Sequence, residues 1–104
     1  QRRTGGAWSA QARVRRDAVR FLRGEELVQG WQPPDEGWEK FFCSVCGSQL
    51  FSKQPDGAIW SVRMGVLDAD PGVPPKHRQF VADAATWEPI PDDGIPRYDA
   101  AAPR

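Results

Sequence analysis

Sulfur and imidazole are scarce in this chain. It has two cysteines, one methionine and one histidine among 104 residues. Two cysteines are too few for a disulfide-stapled secreted fold, and as Cys43-x-x-Cys46 they lie too close together to brace a long loop. A single histidine excludes a His-rich metal cluster and leaves His77 as the one side chain with a natural acid–base pKa near neutrality. Net charge is also missing: 14 Lys and Arg balance 14 Asp and Glu. The total therefore gives no electrostatic pull toward nucleic acid or an anionic membrane. No apolar run approaches the roughly 20 residues of a membrane span, and no signal-peptide core is present. No repeat or low-complexity tract occurs. A reducing cytoplasm is the expected compartment, and no nucleic-acid or membrane partner is expected.

What the chain does contain is punctuation. Ten prolines, ten glycines and five tryptophans point to short strands joined by ordered turns rather than to a helix bundle. The length suits one domain, taken here as residues 1–99 with a tail at 100–104. The expected fold class is all-β. Residues 7–14 alternate, with Trp8, Ala10, Ala12 and Val14 on one side and Ser9, Gln11 and Arg13 on the other, which predicts a half-buried strand. A turn over 15–18 leads to strands over 19–22 and 27–31, and the run Gln32-Pro33-Pro34-Asp35-Glu36-Gly37 reads as a loop. Strands over 38–42 and 49–52 flank the cysteines, and further strands are expected over 58–65 and 78–82. Only the Asp17 region and 83–87 look able to form a helical turn. The tryptophans are expected to pack in the core or on a sheet face.

The organising stretch is Phe41-Phe42-Cys43-Ser44-Val45-Cys46-Gly47-Ser48-Gln49-Leu50-Phe51. Cys-x-x-Cys on a tight turn aims two thiolates at one point, and the following glycine can take the positive φ such a turn needs. Apolar, β-prone residues on both sides predict a hairpin with a zinc knuckle at its tip. A redox Cys-x-x-Cys would open a helix after a strand, whereas here a strand pattern follows. Cys43 and Cys46 are therefore read as structural metal ligands and not as nucleophiles. A closed zinc site takes four ligands, and the chain is one short even with His77 recruited: the remaining ligands are absent from this chain, or a carboxylate or a second subunit supplies them, or no metal binds. His77 itself, after Pro74-Pro75-Lys76, reads as a residue that fixes a loop, with ligand contact as the alternative. Asp68, Asp70, Asp92 and Asp93 sit beside proline or glycine and read as turn formers.

Charge is uneven along the chain. Residues 1–23 carry seven arginines against Asp17 alone, and from Val66 onward seven acids face four basic residues. A solvated strand face balanced by an acidic tail accounts for this; the sharper alternative is an anion-binding surface for a carboxylate-bearing small molecule, and less so for nucleic acid, because base-stacking aromatics are not interleaved with the arginines.

These residues also resemble a family. Phe42-Cys43-Ser44-Val45-Cys46-Gly47-Ser48-Gln49-Leu50-Phe51 resembles the late zinc knuckle of the glutathione-dependent formaldehyde-activating enzymes, which share a domain with centromere protein V and have the Mss4-like fold. Arg3-Thr4-Gly5-Gly6-Ala7, Phe21-Leu22-Arg23-Gly24, Met64-Gly65-Val66-Leu67-Asp68, Pro75-Lys76-His77, and Trp87-Glu88-Pro89-Ile90 with Ile95-Pro96-Arg97-Tyr98-Asp99 resemble further family segments in the right order. The resemblance implies zinc, a small thiol such as glutathione as partner, and the carbon–sulfur lyase chemistry of S-(hydroxymethyl)glutathione synthases. It carries over only Cys43 and Cys46, as half of the structural zinc site. The family's early Cys-x-Cys and its middle, catalytic Cys-x-Cys-x-x-Cys are absent from these residues. The chain starts with Gln1, and its catalytic zinc ligands are expected upstream of it. The catalytic residues are therefore unknown. Loss of N-terminal strands would leave an exposed sheet edge through which copies could self-associate. A zinc-stabilised β module that binds a partner without catalysis is the alternative function.

Overall fold

The computed structural model describes residues 1–34 and 37–103; of the expected loop at 32–37, Asp35 and Glu36 lie outside the described residues. The chain divides into two compact units, Ala10–Asp68 and the combination of Gln1–Ser9 with Ala69–Arg104. The first holds a five-stranded antiparallel sheet: β1 (Gln11–Arg15), β2 (Val28–Trp31), β3 (Glu39–Cys43), β4 (Gln49–Lys53) and β5 (Ile59–Arg63), in the order β1-β5-β4-β3-β2. The all-β expectation holds. Among the described residues only short 3-10 turns occur besides strands, and no helix is long and apolar enough to cross a membrane.

Side chains alternate across a sheet, so register decides which residues meet. Val14 lies opposite Trp60, Ala12 and Phe51 lie opposite Val62, and Phe41 lies opposite Phe51. This face carries the apolar core. The rings of Phe41 and Phe51 stack at 4.9 Å between centroids, and those of Phe51 and Trp60 at 4.6 Å. Such offset-stacked aromatics add to the area they bury. Trp60 is only 1% exposed.

The opposite face is polar, exposed along β1 and buried at its centre. Ser52 lies opposite Ser61, and both are buried along with Arg63. The Arg63 guanidinium donates to Gln11 Oε1 at 3.0 Å, to Ser52 Oγ at 3.0 Å and to the Ser61 carbonyl at 3.3 Å. Ser61 Oγ donates to the same Gln11 oxygen at 2.6 Å. Directed hydrogen bonds satisfy here what would otherwise be costly buried polar groups.

Strand expectations held around the cysteines and shifted elsewhere. The predicted strand over 7–14 is the shorter β1, and Trp8 lies outside it, 72% exposed. Residues 19–22 form no strand. A 3-10 turn at Arg16–Ala18 redirects the chain, and Phe21 then packs tilted on Phe51 and Trp60, 6.0 and 6.1 Å between centroids. Apolar residues two apart served a crossing over the sheet instead of pairing within it. The strand expected over 78–82 reduces to one parallel bridge, Arg78 with Arg97, and a 3-10 turn follows at Val81–Asp83. Trp60 is a core residue as expected, but Trp31 and Trp87 are exposed.

The second unit is held by loop-to-loop bonds. Arg78 N–H donates to the Pro96 carbonyl and Tyr98 N–H to that of Arg78, both at 2.8 Å. Arg78 and Asp93 form a two-pronged ion pair, 2.8 Å at each contact. This cation holds the Asp93 carboxyl down at about 2, with the Ile95 N–H accessory to it. Asp93 and Asp70 also accept from backbone N–H groups two residues on, at Ile95 and Gly72, as turn formers do.

Candidate functional site

The cysteine turn joins β3 to β4 as the hairpin pattern predicted. Cys43 ends β3 opposite Val28, and Ser44–Cys46 form the turn itself. Three backbone bonds set its shape. Gly47 N–H donates to the Cys43 carbonyl at 2.8 Å, Cys43 N–H to the Ser48 carbonyl at 2.9 Å, and Ser44 N–H to the Leu27 carbonyl at 2.8 Å. The last of these ties the turn to the segment that enters β2. Gly47 has φ +79°, the left-handed conformation that favours glycine, so the residue after the second cysteine does what its sequence position suggested.

Both cysteines are free thiols, Cys43 half-buried and Cys46 exposed. The Sγ of Cys46 lies 3.1 Å from the Ser48 hydroxyl. That hydroxyl lowers the Cys46 pKa, with the Ser48 backbone and the Cys43 thiol adding to the effect. A thiol of lowered pKa is more readily the thiolate that metals bind. Ser48 acts as a neighbour that tunes the second sulfur. The sequence offered a weak signal for it, a hydroxyl two residues past the cysteine.

The donor set decides how a zinc ion fits this turn. Two soft sulfurs on a pre-ordered loop suit zinc, but a closed tetrahedron takes four donors. Among the described residues no group of three or more His, Cys, Asp or Glu side chains could hold a metal ion. The turn therefore fits half a site. His77 belongs to the second unit, where its ring meets the edge of Tyr98 at 6.0 Å between centroids. This contact agrees with a loop-fixing role.

The sheet around the turn is crowded. Gly30, on β2 opposite Phe41, has no room for a side chain: an added Cβ would come within 2.7 Å of Glu39 Oε2 and 2.9 Å of the Phe41 ring. At this position the edge strand thus lies directly against Phe41, which also begins the aromatic stack.

A comparison with curated proteins finds no match. The family described as glutathione-dependent formaldehyde-activating enzyme matches residues 1–83. That span takes in every strand of the sheet and both cysteines, whereas the resemblance at 87–99 lies beyond it. The match suggests a glutathione-related role of the carbon–sulfur lyase type, with glutathione as a small-molecule thiol. On this span, the chain belongs to the glutathione-dependent formaldehyde-activating enzyme family.

Proposed function

We propose that the protein makes or breaks the carbon–sulfur bond of a formaldehyde-type adduct of glutathione or another small thiol, and that Cys43 and Cys46 supply two of the four donors of a structural zinc site. The observation that carries the reading is the family match over residues 1–83, which includes both cysteines. The pre-ordered turn and the lowered Cys46 thiol support zinc as its occupant. No further donor is assigned among the described residues, and no residue of the chain is assigned a catalytic step.

The test is zinc content and intact mass on one purified sample, followed by NMR of isotopically labelled formaldehyde with glutathione. Zinc should be bound, and Cys43→Ser or Cys46→Ser should release it. Adduct formation should run faster than without protein. Zinc content unchanged by both substitutions would overturn the metal assignment. Bound zinc with no acceleration would favour the second reading, a zinc-stabilised β module without catalysis.

A further inference from the structure

The two edges of the sheet are built differently. Along a strand, successive residues turn their N–H and C=O groups toward one neighbour and then the other. On β1, Arg16 N–H donates to the Ala58 carbonyl and Met64 N–H to that of Ala10, which sets Ala12 and Val14 toward β5. Gln11, Arg13 and Arg15 therefore turn their backbones outward, and the two arginines charge this edge. A second copy approaching there would set arginine against arginine, a common protection of a free edge.

The β2 edge is different. The bond from Ser44 N–H to the Leu27 carbonyl, with Val28 opposite Cys43, turns Gln29 and Trp31 toward β3. Val28 and Gly30 therefore turn outward. The Val28 N–H is taken by the Glu25 carbonyl of the preceding turn. Gly30 presents both an N–H and a C=O, and no strand lies beyond it among the described residues. The strand Val28-Gln29-Gly30-Trp31 holds no charge and no proline, and its register with β3 is unbroken. Its last three residues are exposed, as is Leu27 just before it.

Such an edge accepts another strand through backbone bonds. An uncharged strand selects no charged partner. Gly30 carries donor and acceptor on one residue without a side chain, so two copies related by a two-fold axis satisfy each other there. We propose that β2 pairs antiparallel with β2 of a second copy, Gly30 opposite Gly30, and joins the two five-stranded sheets edge to edge. Each Gly30 N–H donates to the carbonyl of the other. Gln29 of each copy then lies against Trp31 of the other, in a non-hydrogen-bonded pair where side chains come closest. The charge nearest the axis is Glu39, whose Oε2 sits beside Gly30 on the aromatic face. Two such carboxylates oppose the contact, and four residues are a small interface, so the dimer forms only as concentration rises. The inference stands apart from the proposed function, since it uses neither zinc nor a thiol.

The test is sedimentation equilibrium of the full chain from micromolar to millimolar concentration, with amide resonances followed over the same range. A dimer should appear, and the Gly30 amide should shift with concentration while that of Arg13 does not. High salt should not weaken association, because it only screens the Glu39 carboxylates. Glu39→Gln should tighten it about threefold by removing their repulsion, a gain that misfolding does not mimic. Gln29→Lys sets two ammonium groups within about 10 Å of each other and should weaken it about tenfold. Adding Trp31→Glu should restore it, because residues 29 and 31 of the two copies lie opposite. A monomer at millimolar concentration would overturn the proposal, as would a dimer whose Gly30 amide stays unmoved. Both are read on the unmodified chain. Association that weakens with salt would place the contact on charged groups and overturn it as well. No recovery in a folded double variant would overturn the register.

Discussion

The two faces of the sheet are closed by opposite means. The largest side chains with under 2% exposure are a tryptophan on one face and a serine on the other, Trp60 and Ser52. On the aromatic face, stacked rings of Phe41, Phe51 and Trp60 remove apolar area from water, which is non-directional and grows with surface. On the polar face, an arginine, two serines and a glutamine must each point correctly, because a buried polar group left alone costs more than its bond contributes. The first face should therefore respond to lost volume and the second to lost partners.

The largest effect is expected at Trp60. Trp60→Ala should cost about 3–5 kcal/mol by denaturant unfolding, since it removes the ring on which Phe51, Phe21, Arg16 and Lys53 all rest. Trp60→Phe should cost clearly less, and equal losses would mean that volume is not what this face measures. On the polar face, Arg63→Met keeps most of the volume but removes the donor to Ser52 Oγ and one of the two donors to Gln11 Oε1. A cost of about 2–3 kcal/mol is expected in the same assay. A neutral result would show that the network is dispensable and the contrast between the faces false.

Gly30→Ala comes next, at about 1–2 kcal/mol, because a methyl must displace either Glu39 or the Phe41 ring that begins the stack. Glu39 is the flexible neighbour, so the double change Gly30→Ala with Glu39→Ala should recover part of the loss. The recovery would separate crowding by the carboxylate from crowding by the ring.

The mildest effect belongs outside the sheet. Asp93 is held at about 2, below its ordinary 3.8, so its stabilising contribution is full above about pH 4 and is lost as pH falls toward 2. Asp93→Asn should flatten that part of an acid titration followed by the resonances of residues 78–98, and an unchanged titration would show that the pair with Arg78 does not hold this carboxyl down.

These contrasts also mark where the sequence was readable. The hairpin was legible because three signals coincide there: β-prone aromatics, Cys-x-x-Cys and a glycine placed for a positive φ. Val19 to Leu22 was misread because a two-residue apolar period looks the same in a strand and in a segment that lays one ring across a sheet. The buried Ser52–Ser61–Arg63 network was invisible for a related reason. Polar residues at alternate positions are the usual sign of a solvated face, and only register reveals that they satisfy one another. For the site, the cysteine pair was plain in the sequence. The arginine-rich start suggested a surface, but alternation along β1 and the turn after it divided those charges between two faces.

The bond from Ser44 N–H to the Leu27 carbonyl has a consequence for how the cysteine turn moves. It makes the turn the far end of an edge strand, so β2 cannot peel away from β3 without releasing one of the three backbone bonds that shape the turn. The amide of Ser44 is thus a built-in reporter: its hydrogen exchange should follow the opening of β2 and not the breathing of the hairpin's own tip. Whatever adds a strand to that edge should slow exchange at a cysteine turn it never touches.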